Sequence, residues 1–133
     1  MLTITKKYIK SFEELSPKNI KNLSECVSKN FVFVDPFQTI NGKSEFETLL
    51  KNMFKRLKNP KFNVVDVSEK KSTVYLKWRF ECIIFKKLIK FHGISEIYIK
   101  NNLVTKHLDY WDTGRNFYSH LPIIGKVFKK IHK

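Results

Sequence analysis

The apolar positions of this chain change period near its middle. Over residues 3 to 15, Ile4, Tyr8, Ile9, Phe12 and Leu15 recur at helical spacing and predict a first amphipathic helix. Ser16 and Pro17 restart the chain as N-cap and first helical residue, and Ile20, Leu23 and Val27 predict a second helix to about Ser28. Phe31 to Val34 is a short β-prone run, and Asn41-Gly42 makes a turn. A third helix opens at Lys43-Ser44-Glu45, runs on Phe46, Leu49, Leu50, Met53, Phe54 and Leu57, and ends before Asn59-Pro60.

From Phe62 onward the period is two. Phe62 to Glu69, Ser72 to Phe85, Lys90 to Lys100 and Leu103 to Trp111 read as four consecutive strands joined at Lys70-Lys71, Lys86-Lys87 and Asn101-Asn102. Connections this short favour antiparallel hairpins. The second of these strands sets Val74, Leu76, Trp78, Phe80, Cys82 and Ile84 on one face against Tyr75, Lys77, Arg79 and Glu81 on the other. A sheet with one apolar face has to bury it, so helices followed by a meander predict an α+β fold in which a bent sheet wraps the helices. Beyond Trp111, Asp112 is placed to cap a last helix from Thr113 to about His120, with Pro122 to Gly125 breaking it before a basic tail, residues 126–133.

Candidate chemistry concentrates in Thr105-Lys-His-Leu-Asp-Tyr-Trp-Asp112. As a strand it puts His107, Asp109 and Trp111 on one face and Leu108, Tyr110 and Asp112 on the other, so an acid–base pair sits beside an indole. A second carboxylate, Asp35, ends the apolar run Phe31-Val-Phe-Val34 and precedes Pro36. Walled by Phe33, Phe37 and Trp78, Asp35 would be desolvated and would become a better base. The same residues have structural explanations: an Asp before Pro hydrogen-bonds its own loop, Asp112 caps a helix, His107 with Asp109 forms a buried pair, and Trp78, Phe80 and Trp111 fill a core.

Composition adjusts this picture in three places. The chain's 133 residues fit one domain, able to bury roughly two thirds of its unfolded surface. Cys26 and Cys82 fall inside a predicted helix and strand with no metal spacing, and are expected as reduced, buried thiols of a cytoplasmic protein. No signal-like apolar run and no membrane span of ~18 residues is found. The net charge of +14 invites nucleic-acid binding, but 23 of 26 basic residues are Lys, only Arg56, Arg79 and Arg115 offer the guanidinium fork, and ten Asn accompany them. That pattern reads as a lysine- and asparagine-rich compositional bias; nucleic-acid binding, a third and less favoured reading, would need a contiguous basic stripe with exposed aromatics. No metal cluster is expected beyond the His107-x-Asp109 spacing, Gly42, Gly93 and Gly125 form no phosphate-cradling loop, and no cofactor is expected.

The order of these motifs resembles a known family. Phe33-Val-Asp-Pro-Phe37 followed by Asn41-Gly-Lys43, Leu76-Lys-Trp-Arg-Phe80, Gly93, and His107-Leu-Asp-Tyr-Trp-Asp112 look like the nuclear transport factor 2-like superfamily, in its SnoaL-like, polyketide cyclase and ketosteroid isomerase-like branch. The resemblance covers about residues 8 to 131. It implies a cone-shaped, cystatin-like roll with a deep apolar pocket between helices and a strongly curved antiparallel sheet. In the isomerase branch a carboxylate of an Asp-Pro pair takes a proton next to a carbonyl, which Asp35 matches. The isomerase tyrosine falls at Ser11 or Phe12, with Tyr8 a turn away, and its second acid falls near Ser95. The cyclase branch draws its acid–base residue from the last strand, where His107 and Asp109 stand. Members often pair through the outer sheet face, which implies a homodimer; Ile83 and Phe85 are apolar residues on that face.

Two functions fit these residues. One is a cofactor-free isomerase or cyclase acting on a small hydrophobic carbonyl compound through Asp35, His107 and Asp109, with Tyr8 or Tyr110 as hydrogen-bond donor and Phe33, Phe37, Trp78, Phe80 and Trp111 as pocket wall. The other is a non-catalytic ligand-binding or dimeric interaction domain. They differ in whether the three ionisable side chains converge on one cavity.

Overall fold

A computed structural model describes residues 1–112. The elements are α1 (Thr3–Glu13), α2 (Ile20–Ser24), β1 (Val27–Val34), β2 (Thr39–Asn41), α3 (Lys43–Arg56), β3 (Lys58–Lys70), β4 (Thr73–Ile84), β5 (Lys87–Lys100) and β6 (Leu103–Tyr110). The last helix and basic tail expected after Asp112 lie outside the described residues.

All six strands form one sheet in the order β2-β1-β6-β5-β4-β3. The β3 to β6 meander is antiparallel, as the short connections predict. What periodicity did not predict is that β1 closes onto β6 in parallel, pairing Phe33 with His107 and Val34 with Leu108. Helix α3 packs against both β1 and β3, although β6, β5 and β4 lie between those strands in the sheet. Only a strongly curled sheet allows this, and two register irregularities in β3, at Lys58/Lys61 and Val64/Asp66, bend the strand.

The second helix is one short turn rather than a run to Ser28, and β1 starts at Val27 instead of Phe31. Tertiary pairing overrides helical spacing here: the Val104 amide donates to the Cys26 carbonyl at 2.8 Å, and Val27 joins the ladder to β6. Cys26 is therefore at the helix–strand junction and fully buried. The β4–β5 turn is Phe85-Lys86 rather than Lys86-Lys87, with φ of 50° and 64°. Phe85 stands in that turn, 71% exposed, and not on the outer sheet face. Asn101 and Asn102 take the same left-handed backbone, which Asn tolerates far better than Phe, and both pairs match the turn geometry whose twist suits a hairpin.

The core fills the concave face. Along β4 burial alternates as the pattern predicts, with Val74, Leu76, Trp78, Phe80, Cys82 and Ile84 inside. Helix α1 buries Ile4, Thr5 and Tyr8 and lies along the edge strand β3. It is tied there at both ends: Glu13 Oε2 accepts the Val64 amide at 3.0 Å, and Glu69 accepts the Thr5 hydroxyl at 2.6 Å and the Leu2 amide at 2.9 Å. These bonds satisfy an edge-strand donor and hold Tyr8 pointing into the interior. Gly42, at φ 92°, turns the chain from β2 into α3 and donates its amide to the Phe31 carbonyl at 2.6 Å. Helix α3 thus starts beside the middle of β1 and runs toward the end where Asp35 leaves it.

Candidate functional site

Parallel pairing of β1 with β6 brings the two acidic segments together. Continued one residue past Val34 and Leu108, the register sets Asp35 beside Asp109, on the same face as Phe33 and His107. That face opens on a cavity of about 320 Å³, at the small end of the range for ligand pockets. Phe33, Phe37, Trp78, Phe80, Phe91 and Trp111 wall it on the sheet side, and Phe46, Leu49, Leu50 and Met53 on the α3 side. Asp35 and Asp109 both line it.

Asp109 is held by a buried hydrogen-bond chain. Its Oδ1 accepts the Ser95 hydroxyl at 2.5 Å and lies 2.6 Å from His107 Nε2. Ser95 Oγ in turn accepts the Trp78 indole N–H at 2.8 Å and sits 3.1 Å from His107 Nε2. The other ring nitrogen, Nδ1, is 2.7 Å from the Tyr8 hydroxyl. A carboxylate only accepts, so Nε2 carries the ring proton and Nδ1 accepts from Tyr8. Burial pushes the Tyr8 phenol well above its ordinary 10, and the Asp109 charge adds to this, so Tyr8 stays a proton donor. His107 and Ser95 are 3% and 2% exposed, so the chain meets the cavity at the Asp109 carboxyl and the Trp78 ring.

Asp35 serves its loop as well as the cavity. Its Oδ1 accepts the amides of Phe37 at 2.8 Å and Gln38 at 3.0 Å, and Oδ2 accepts Gln38 Nε2 at 3.3 Å. Burial nevertheless raises this carboxyl above the usual carboxylate range; the backbone and Gln38 bonds oppose that rise, and the charge of Asp109 reinforces it. The fold thus favours neutral Asp35, a contribution present in full below the ordinary 3.8 and lost as pH rises through the raised value. Asp35→Asn keeps an acceptor for the two amides but never ionises. Its melting temperature relative to the wild type is expected to climb between about pH 3 and about pH 7. A flat difference in thermal scans across that range would show that Asp35 carries no such penalty.

Two expected pocket residues lie elsewhere. Tyr8 stands behind His107, out of the cavity, because α1 delivers it to the buried ring nitrogen. Tyr110 follows the strand alternation to the outer face, where it is 55% exposed and donates to Glu96 Oε1 at 3.1 Å. Sequence reasoning overlooked Ser95 as a bridge, although its signal was present: strand alternation puts this one hydroxyl among Ile89, Phe91, Gly93, Ile97 and Ile99. It also overlooked Gln38, Asn52 and Arg56, the polar groups that line the cavity from the β1–β2 loop and α3. Among the described residues no three His, Cys, Asp or Glu side chains are grouped to hold a metal ion, and no helix is long and apolar enough to cross a membrane.

Comparison with known proteins bears on the fold and the family. A search of curated protein sequences returned no match. Among solved structures, a SnoaL-like polyketide cyclase (putative) from Jannaschia sp. CCS1 superposes with a TM-score of 0.74 at 10% identity, over 86% of this chain and 89% of that one. An LEH-like epoxide hydrolase from M. tuberculosis gives 0.73 at 16% identity, over 89% and 82%. An NTF2-like protein of unknown function from Burkholderia pseudomallei K96243 gives 0.75 at 8% identity, over 84% and 90%. Identities this low establish the shared α+β, NTF2-like fold and nothing about the reaction. The SnoaL-like domain family model matches residues 8–107, which span α1 to the His107 of β6, and the chain belongs to that family.

Proposed function

We propose that this protein is a cofactor-free acid–base enzyme of the isomerase or cyclase type, acting on a small hydrophobic carbonyl compound held in the cavity. One observation carries the reading: Asp109 stands in an apolar wall with Oδ1 anchored by Ser95 and His107. Such anchoring spends one oxygen on position and leaves the carboxylate to take a proton from the carbon next to the carbonyl. Asp35, whose neutral form burial favours, is the proton donor to the enolate oxygen that forms. In a conjugated substrate the proton held by Asp109 then returns at another carbon while the enol O–H proton passes back to Asp35. Alternatively the enol carbon attacks a second carbonyl to close a ring, its alkoxide taking the proton from Asp109 as the enol O–H proton returns to Asp35. His107 does not touch substrate; backed by Tyr8, it holds Asp109 in place. Fold neighbours described as a putative polyketide cyclase and an epoxide hydrolase show that enzymes occur on this fold, without naming this substrate or reaction.

The test is exchange of acidic α-protons, since it requires only the first step. The wild type is expected to speed deuterium incorporation into 2-tetralone in D₂O, followed by proton NMR, and Asp109→Asn to lose that acceleration. Exchange equal in both proteins would refute the role of Asp109. A second reading, a ligand-binding domain without turnover, draws support from the commitment of Asp35 to its loop amides; it requires binding of such ketones with no exchange.

The protein is also proposed to be a cytoplasmic homodimer. Its free, buried Cys26 and Cys82 suit a reducing compartment. On the outer face Tyr75, Ile94 and Tyr110 are 45%, 47% and 55% exposed, and Ile94 pairs directly with Tyr110. Three large neighbours exposed on the outer face form a patch suited to a second copy. Ile94→Asp is expected to convert a sedimenting dimer to monomer; a monomeric wild type would refute the pairing.

A further inference from the structure

We propose that Arg56 and Asn52 form an anion-binding end of the cavity, so that the ligand is an apolar acid whose carboxylate meets α3 while its carbonyl meets Asp109. This rests on the ligand-binding cavity proposed above and narrows what enters it. Asn52 and Arg56 are four residues apart on α3, hence on one helix face, and both line the cavity.

The other polar side chains of the wall are engaged. Asp35 accepts two backbone amides and the Gln38 side chain, and Asp109 Oδ1 accepts Ser95 and His107. Both carboxyl groups are thus engaged by donors within the wall. Among the described residues, neither Asn52 nor Arg56 has a side-chain hydrogen bond or an ion pair. Among the described residues Arg56 is the only basic residue lining the cavity, and it pairs with neither carboxylate there. Arg56 is exposed at the cavity rim, where its donors face water and are open to an entering anion.

The identity of the base sharpens the point. Lys is this chain's ordinary cation, with only three Arg among its 26 basic residues. Helix C-terminal charge alone would be met by a Lys, and Lys55 already stands in the same last turn. What Arg adds is a planar fork that matches a carboxylate with two parallel bonds, which a lysine ammonium does not do. Asn52, one turn deeper, contributes an amide N–H₂ to the same group.

Calorimetric titration with 2-naphthoate and its neutral isostere 2-naphthamide tests this. The wild type is expected to bind the acid about tenfold more tightly than the amide, the discounted worth of a charge-assisted pair at a solvent-exposed rim. Arg56→Gln should remove the preference by weakening 2-naphthoate about tenfold more than 2-naphthamide, whereas Lys51→Gln on the same helix should keep it. That control separates a built site from the general pull of a +14 surface. Equal affinities in the wild type, or a preference surviving Arg56→Gln or lost equally in Lys51→Gln, would overturn the anion site while the cavity reading stands. Binding of neither compound would overturn both.

Discussion

Asp109→Asn is expected to slow α-proton exchange by about 10²- to 10⁴-fold, the range a positioned general base supplies. The substitution is nearly isosteric, and its amide oxygen still accepts from the Ser95 hydroxyl and His107 Nε2, so the buried chain through Tyr8 is kept. Only the capacity to take a proton is lost. Thermal stability should therefore stay close to that of the wild type while the rate falls, and ketone binding measured by calorimetry should persist. Asp35→Asn should reduce the rate less, because it removes a proton donor whose place water can take at an open cavity end. A larger loss at Asp35 than at Asp109 would reverse the two roles and make the Asp-Pro carboxylate the base.

The largest structural effect is expected from a single methyl group. At Gly93 an added Cβ would lie 2.3 Å from two ring carbons of Trp78 and 3.0 Å from a third. Trp78 and Gly93 are direct partners across β4 and β5, so the indole lies flat over the bare backbone of its neighbour. The ring cannot yield easily, being packed against Phe62 and Phe91 and hydrogen-bonded through Nε1 to Ser95. Gly93→Ala should cost about 1–3 kcal/mol through overpacking and should weaken proton exchange as well, by pulling Trp78 away from the hydroxyl that anchors Asp109. In the double variant Gly93→Ala with Trp78→Phe, the smaller ring should recover part of the stability but not the Ser95 contact. Additive losses in urea titrations of the single and double variants would show that the two residues do not oppose each other.

Much of this architecture could be read from residue order. Period-two alternation in β4 placed six inward side chains correctly, and the parity of Thr105 to Asp112 put His107, Asp109 and Trp111 on the inner face and sent Tyr110 outward. The expectation of Tyr110 as a pocket donor went against that same alternation, and the fold follows the alternation. Local propensity was least informative where a long-range pairing competed with it. Residues 25 to 28 have helical spacing, yet the ladder to β6 draws Val27 into a strand. The Phe85-Lys86 turn was displaced by one residue because strand register, not turn preference, decides which residues take positive φ.

Amino-acid order by itself determined that helices come first and that a meander follows with one apolar face, and it nominated Asp35, His107 and Asp109 as candidate ionisable groups. Those are consequences of spacing between near neighbours, which a linear text records. Only the tertiary structure decided that β1 lies parallel to β6, setting Asp35 next to Asp109, that α1 carries Tyr8 to the far side of His107, and that α3 ends with Arg56 at the cavity. Each depends on groups tens of residues apart meeting across a curled sheet. Which strand a free edge accepts is settled by the packing energy of the whole core, a quantity no local window contains.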